Sequence, residues 1–305
     1  MKIYVAGHRG LVGSAIVRKI ENDAQHTWIG RTRAELDLLD RKAVFNFLAT
    51  EKPDAVIIAA AKVGGIQANK TYPVEFLSEN LQIETNLIDG SHAANIQHLL
   101  FLGSSCIYPK LAPQPLREEY LLTGELEKTN EAYALSKIAG LKLVEAYRNQ
   151  YGRKWISAMP TNVYGPGDNY DLENSHVLPA LIRKFIDAKS KGDESVTLWG
   201  TGSPRREFIY SDDLASACLF LLDNYDDSVA INIGTGEDLS ILDLASMIKE
   251  ATGFEGIINW DKSKPDGTPR KLLNIQRISD LGWKAKITLQ EGISLTSKAY
   301  VRDHS

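Results

Sequence analysis

An α/β fold built on a doubly wound parallel sheet follows from three observations on this 305-residue sequence. Short apolar runs alternate with longer amphipathic stretches through the first half. The first run opens directly into a glycine-rich turn, Gly7-His8-Arg9-Gly10-Leu11-Val12-Gly13. After Pro160 the alternation breaks into shorter, turn-rich pieces. Apolar runs of this kind read as strands buried on both faces, and strand–helix alternation gives parallel pairing with right-handed crossovers.

In chain order, Ile3–Ala6, Thr27–Ile29, Ala55–Ala59, Leu99–Gly103 and Trp155–Met159 are expected strands. Val12–Glu21, Arg41–Thr50, Val74–Ala94 and Glu131–Gln150 are the expected helices between them. The segment Asn162-Val163-Tyr164-Gly165-Pro166-Gly167-Asp168 is a bend, followed by a helix from about Val177 to Ser190 and a strand Val196–Trp199. Phe208–Tyr210 reads as a strand running into a helix capped at Ser211-Asp212-Asp213, and Ala230–Ile233 as one more buried strand. The tail holds the Pro- and Gly-marked loop Ser263–Lys271 and two closing helical pieces. The expected division is a first domain over 1–166 with about 205–235, and a smaller discontinuous one over about 167–204 and 236–305.

Composition narrows the function. A net charge of −4 and a pI near 5.9 argue against a nucleic-acid protein, whose footprint is normally basic. Two cysteines far apart, Cys106 and Cys218, make neither a disulfide framework nor a zinc site, so no metal is expected and a reducing cytoplasm is the expected location. No apolar stretch approaches the roughly 20 residues of a membrane span.

Gly7, Gly10 and Gly13 between a strand and a helix suit close approach of backbone amides to a pyrophosphate, the Rossmann-type arrangement. The end of the second strand chooses the cofactor. An NAD site typically places an acid there, whereas Gly30-Arg31-Thr32-Arg33 has no carboxylate before Glu35. Arg33, with Arg9 from the glycine loop, suits a ribose 2′-phosphate, so NADP(H) is expected. Of the three arginines, Arg31 is the one expected to face solvent instead.

Tyr133 and Lys137 share one helix face, one turn apart. A nearby ammonium is expected to lower the phenol's pKa, with Ser104 bonding a substrate carbonyl beside it. Cys106, two residues past Ser104, is unusual. A simple carbonyl reductase needs no thiol there, but an enzyme that removes a proton from carbon beside a ketone does. Cys218, within an apolar run, reads as a core residue.

With these residues the chain resembles the extended short-chain dehydrogenase/reductase family over nearly its whole length. The resemblance also rests on Ala60-Ala61-Lys62-Val63-Gly64-Gly65-Ile66, Leu102-Gly103-Ser104-Ser105-Cys106-Ile107-Tyr108-Pro109-Lys110, Pro160-Thr161-Asn162-Val163-Tyr164-Gly165-Pro166, Asn174-Ser175-His176-Val177 and Ser263-Lys264-Pro265-Asp266-Gly267-Thr268-Pro269-Arg270-Lys271. It implies the branch that epimerises a GDP-4-keto-6-deoxy sugar at C3 and C5 and then reduces C4 with NADPH. Cys106 is then the base and His176 the returning acid, with Ser104, Tyr133 and Lys137 at the carbonyl. Leu11, Val12, Leu102, Gly103, Ser105, Pro160, Asn162, Val163 and His176 join the cofactor site. Lys184, Trp199, Arg206 and Asp266 line the sugar-nucleotide site, although Arg205 can exchange roles with Arg206. A homodimer packed through the helices at Val74–Ala94 and Glu131–Gln150 is also implied.

The rivals are a 4,6-dehydratase or NAD-dependent 4-epimerase, a plain 4-ketoreductase, and a non-catalytic NADP sensor. A dehydratase needs an acid pair after the strand-end Ser, where this chain has Ser105-Cys106-Ile107. A sensor has no need to keep Ser104, Tyr133 and Lys137 together.

Overall fold

The computed structural model describes residues 1–172, 174–264 and 266–304. Pro265, within the expected loop Ser263–Lys271, lies outside the described residues. The elements in chain order are β1 (Lys2–Ala6), α1 (Leu11–Asp23), β2 (Thr27–Ile29), α2 (Arg41–Glu51), β3 (Ala55–Ile58), α3 (Ile66–Thr71), α4 (Pro73–Ala93), β4 (His98–Leu102), α5 (Glu131–Tyr151), β5 (Lys154–Pro160) and β6 (Asn162–Tyr164). Then come α6 (Val177–Lys191), β7 (Ser195–Trp199), β8 (Arg205–Arg206), β9 (Phe208–Tyr210), α7 (Ser211–Asn224), β10 (Ile231–Ile233), β11 (Leu239–Ser240), α8 (Ile241–Thr252), β12 (Ile257–Asp261), β13 (Arg270–Lys271), α9 (Gln276–Asp280) and α10 (Leu289–His304).

The main sheet has the order β2-β1-β3-β4-β5-β10, every pair parallel. Alternation along its strands feeds two cores. Val5, Ile57, Leu100 and Ile156 face α1 and α7, where Ile16, Leu214 and Cys218 are buried. Tyr4, Val56, Phe101 and Trp155 face α2, α4 and α5, meeting Leu48, Leu87 and Leu141. Each strand therefore carries apolar residues at consecutive positions, as a sheet covered on both sides requires. Burial pushes the Cys218 thiol up to about 12, so Cys218 is the core residue expected of it.

The strand order reverses between β1 and β3, and ligands of open α/β sheets sit beyond the strand ends at such a point. The glycine turn, the stretch after β2, the loop 59–65 and Gly103–Cys106 all lie at that edge.

A third core forms where α6, α8 and α10 pack on β7 and β9, centred on Ile182, Phe185, Leu198, Leu244 and Ile293. Here β12 pairs parallel with β7, and β8 lies between β11 and β13. Neither α8 nor β12 follows from the sequence pattern. The helix is short and capped by Ser240, whose hydroxyl accepts from the Asp243 amide. The strand pairs with a segment some sixty residues earlier, which no local period reveals. The cap expected at Ser211 is also corrected. Tyr210 is the N-cap, Ser211 packs into the space left by Gly165, and the Asp213 carboxylate accepts from the amides of Lys286 and Ile287.

Candidate functional site

The glycine turn is shaped by steric necessity. Gly7 has φ +86°, and a Cβ there would lie 2.8 Å from the Ala60 backbone. A Cβ on Gly13 would lie 2.1 Å from the Gly7 carbonyl oxygen, so only hydrogen fits. Gly10 caps α1 with no side-chain hydrogen bond, and the first turn of the helix contains no acid. The positive end of α1, with Leu11 and Val12 in its first turn, is thus left for an external anion.

Three arginines lie in the glycine turn and in the stretch after β2, and their partners separate them. Arg31 donates to Glu51 at 2.7 Å and lies 5.1 Å from the Phe47 ring centre. It is a structural cation, which refines the expectation that it would simply face solvent. Arg9 and Arg33 are exposed and form no ion pair among the described residues. Two unpaired guanidiniums beside an uncapped helix start, with no acid at the end of β2, fit a dinucleotide bearing an extra phosphate.

At the end of β4, Gly103 donates its amide to Ala158 and the Ser104 hydroxyl accepts from the Cys106 amide at 3.2 Å. Leu102 and Ser105 are buried in this turn. Pro160 ends β5, while Asn162 and Val163 begin β6, with the Asn162 amide group donating to the Glu207 carbonyl at 2.7 Å. Glu207 is itself fully buried, its carboxylate accepting amides from Thr235, Gly236 and Leu273. It ties three loops together beneath the site.

From α5, Tyr133 and Lys137 face the same turn. The phenol is not activated as expected. Burial, then the charges of Cys106 and Glu84, raise its pKa well above that of free tyrosine, and the Ser104 hydroxyl only partly offsets them. The Lys137 ammonium lies 3.0 Å from Glu84 of α4 and 5.9 Å from the centre of the Tyr133 ring, so its charge is largely cancelled by the carboxylate. The surroundings of Tyr133 therefore favour the protonated phenol over the phenolate.

Cys106 has the opposite environment. Burial pushes its thiol up, but Lys271 donates to Sγ at 3.3 Å, and with Ser104 and Arg206 it brings the pKa below that of a free thiol. The cation beside the thiol is Lys271, from β13. His176 caps α6 through its backbone, and its imidazole pKa is lowered by surrounding protein and then by Lys271. The loop before it is held by the Gly65 amide, which donates to Asn174 at 2.8 Å. A Cβ on Gly65 would lie 2.6 Å from the Ser175 carbonyl.

Farther out, Trp199 is 56% exposed at the end of β7, with the ammonium groups of Lys184 and Lys264 5.8 and 5.4 Å from its ring. Asp266 accepts from the Thr201 amide and hydroxyl at 2.7 and 2.8 Å. Arg205 and Arg270 both pair with Asp238, whereas Arg206 forms no ion pair among the described residues and acts electrostatically on Cys106. Of the adjacent arginines, Arg205 is thus committed to Asp238 and Arg206 is not. Lys271, Glu84 and Lys264 were missed in the sequence. Lys271 and Lys264 sit within a motif recognised as a whole, while Glu84 is betrayed only by being charged on an otherwise buried helix face. No group of three or more metal-ligating side chains occurs among the described residues.

The family model for the NAD dependent epimerase/dehydratase family matches residues 3–234. GDP-L-fucose synthase 1 of Arabidopsis thaliana is 56% identical over 302 residues, covering 99% of this chain and 94% of its own. The crystal structure of a GDP-6-OMe-4-keto-L-xylo-heptose reductase from C. jejuni superposes with a TM-score of 0.95 at 37% identity, covering 99% of this chain and 98% of that one. A GDP-mannoheptose C4 reductase from Campylobacter jejuni with NADP bound gives 0.91 at 39% identity, covering 98% of each chain. The chain belongs to the NAD dependent epimerase/dehydratase family, on the branch that carries the GDP-L-fucose synthases.

Proposed function

We propose that this protein converts GDP-4-keto-6-deoxy-D-mannose to GDP-L-fucose, epimerising C3 and C5 and then reducing the C4 ketone with NADPH. One observation carries the choice over a plain ketoreductase. The Cys106 thiol sits beside the carbonyl-binding pair Ser104 and Tyr133, under a lysine that forms no ion pair among the described residues. Such a thiol serves as a base, and a reductase has no work for one.

Both epimerisable protons of the substrate are alpha to its C4 carbonyl, so one arrangement serves both centres. The Cys106 thiolate takes the proton from carbon. Ser104 and Tyr133 hold the carbonyl oxygen by hydrogen bonds as negative charge develops on it. His176 returns a proton on the opposite face, and the inverted centre results. In the reductive step Tyr133 gives its proton to the C4 oxygen, the role for which a high phenol pKa prepares it. NADPH, when bound, supplies the hydride to C4. Gly7, Gly10, Leu11, Val12 and Gly13 would hold its pyrophosphate, and Arg9 and Arg33 its 2′-phosphate. Leu102, Gly103, Ser105, Pro160, Asn162, Val163, Lys137 and His176 would enclose the rest.

Lys184, Trp199, Arg206 and Asp266 would bind the sugar nucleotide. Asp266 acts here mainly by fixing the 200–203 turn, since both its oxygens are engaged by Thr201. The division at 1–166 with 205–235 against 167–204 with 236–305 gives each ligand its own unit. We also infer a cytoplasmic homodimer, consistent with a free Cys106 and with α4 and α5 lying side by side. Sedimentation at working concentration tests the dimer. No described helix is long and apolar enough to cross a membrane.

The test is incubation with GDP-4-keto-6-deoxy-mannose in D₂O, with and without NADPH. Deuterium at both C3 and C5 without cofactor, and NADPH consumption when it is added, are expected. Cys106→Ser should lower exchange by about 10³-fold, the scale of a lost general base. Reduction at C4 without exchange in the unaltered protein would make it a plain ketoreductase.

A further inference from the structure

We propose that Glu84 is a positioning residue for the ketone-reducing machinery, acting through Lys137. This builds on the reductase half of the function above. The carboxylate lies 3.0 Å from the Lys137 ammonium, and both side chains are almost wholly buried, at 1% and 3% exposure. The pairing is built by two helix stripes. Along α4, Phe76, Asn80 and Glu84 recur every four residues on its buried face. Along α5, Tyr133 and Lys137 do the same. Phe76 meets the Tyr133 ring edge-on at 6.4 Å, and one level on Glu84 meets Lys137. Between them, the Asn80 side chain accepts from the Lys62 amide and donates to its carbonyl, fixing the start of the 62–66 loop.

Room for the carboxylate comes from Gly140, one turn beyond Lys137. A Cβ at Gly140 would lie 2.7 Å from Glu84 Oε2 and 2.5 Å from the Phe101 ring. A buried acid, its buried lysine and a glycine that makes space for them form one unit. Burial raises the Glu84 pKa and Lys137 offsets that in part, so removing the lysine leaves the carboxylate with no compensation from it.

Two consequences follow for the reaction. Lys137 has a long flexible stem, and Glu84 with the Phe101 ring, 4.8 Å from Nζ, fixes where its ammonium rests. Lys137 alone would also offer an uncancelled positive charge to Tyr133, favouring the phenolate, the form that has no proton to give. The charged groups facing Tyr133 are Cys106, Glu84 and Lys137. Of these, Glu84 is the only one that the proposed chemistry does not otherwise employ.

Glu84→Gln keeps the shape of the side chain and removes its charge. With NADPH and the GDP-keto sugar, it should lower kcat for reduction about tenfold, with the sugar-nucleotide KM unchanged. Because Glu84 acts through Lys137, the double variant Glu84→Gln/Lys137→Met should be no slower than Lys137→Met alone. An unchanged kcat in Glu84→Gln, or losses that multiply in the double variant, would overturn the proposal. Thermal unfolding without ligand tests the pair independently of any substrate. Lys137→Met strands a buried carboxylate and should melt below the double variant; the reverse order would refute the pairing. If the unaltered protein turned over no GDP-keto sugar, the functional reading would fall while this melting order still decided the pair.

Discussion

Two lysines serve this site, and they do opposite things because of what stands beside them. Lys137 faces Glu84 at 3.0 Å, and the neighbouring Tyr133 keeps its proton. Lys271 faces no carboxylate within ion-pair distance among the described residues, and the neighbouring Cys106 is disposed to lose its proton. The residue type does not decide the chemistry; the partner does. The same division runs through the arginines. Arg31 and Arg205 are held by Glu51 and Asp238, while Arg9, Arg33 and Arg206 form no ion pair among the described residues. The paired cations are committed to acids of the chain itself, and the others are not.

The largest effect expected from this contrast lies at Lys271. Replacing it with Met removes the first cation that lowers the Cys106 pKa, so the thiolate fraction at neutral pH falls and proton exchange slows by about 10- to 100-fold. Lys271 also lowers the His176 pKa, so its loss lets the imidazole keep its proton to higher pH. Exchange needs Cys106 deprotonated and His176 protonated. Both limits therefore move upward, and the whole pH–rate profile of deuterium incorporation shifts to higher pH. A fall in rate with no shift of the profile would mean that Lys271 merely holds substrate, and the contrast between the lysines would fail.

A smaller effect separates the arginines. Arg33→Ala and Arg9→Ala should each reduce the preference for NADPH over NADH, measured as the ratio of kcat/KM values, by about tenfold, the scale of one charge-assisted contact. Arg31→Ala should leave that ratio where it is, because its guanidinium is committed to Glu51 and Phe47. A change in preference at Arg31 equal to that at Arg33 would show that pairing does not sort these cations.

How much of this was legible in the sequence follows the same line. The main-sheet strands and their helices were readable because buried parallel strands and amphipathic helices carry their own periods; Thr27–Ile29 is observed as expected, and Leu99–Gly103 is displaced by one residue to His98–Leu102. Ser104, Cys106, Tyr133 and Lys137 are brought to one turn of chain, as their motifs implied. The pairings were not readable. Glu84 and Lys137 are separated by 53 residues, and Cys106 and Lys271 by 165. Nothing local indicates that one lysine is neutralised and the other is not. The expectation that Lys137 would acidify Tyr133 is not met because burial, followed by the charges of Cys106 and Glu84, outweighs the lysine.

The smallest effect tests a third case, a buried acid that forms no ion pair among the described residues. Asp168, in the turn after β6, accepts from the Asn169 amide at 2.7 Å, while its second oxygen is buried without a hydrogen-bond partner. Burial raises its pKa from the ordinary 3.8 to about 7. The folded state thus holds this proton over a range in which the unfolded chain has released it. The stability this contributes is complete below the unfolded pKa and is lost as pH rises through 7. Asp168→Asn cannot ionise, so it should be more stable than the unaltered protein above neutrality, by about 1–2 kcal/mol once relaxation of a half-buried turn is allowed for, and no more stable at acid pH. Denaturant midpoints recorded on both sides of neutrality measure the difference. A gain of equal size at both would mean that the carboxylate is not carrying the charge, and that a buried acid here needs no cation to be tolerated. A gain confined to alkaline pH would give the cost that Lys137 spares Glu84.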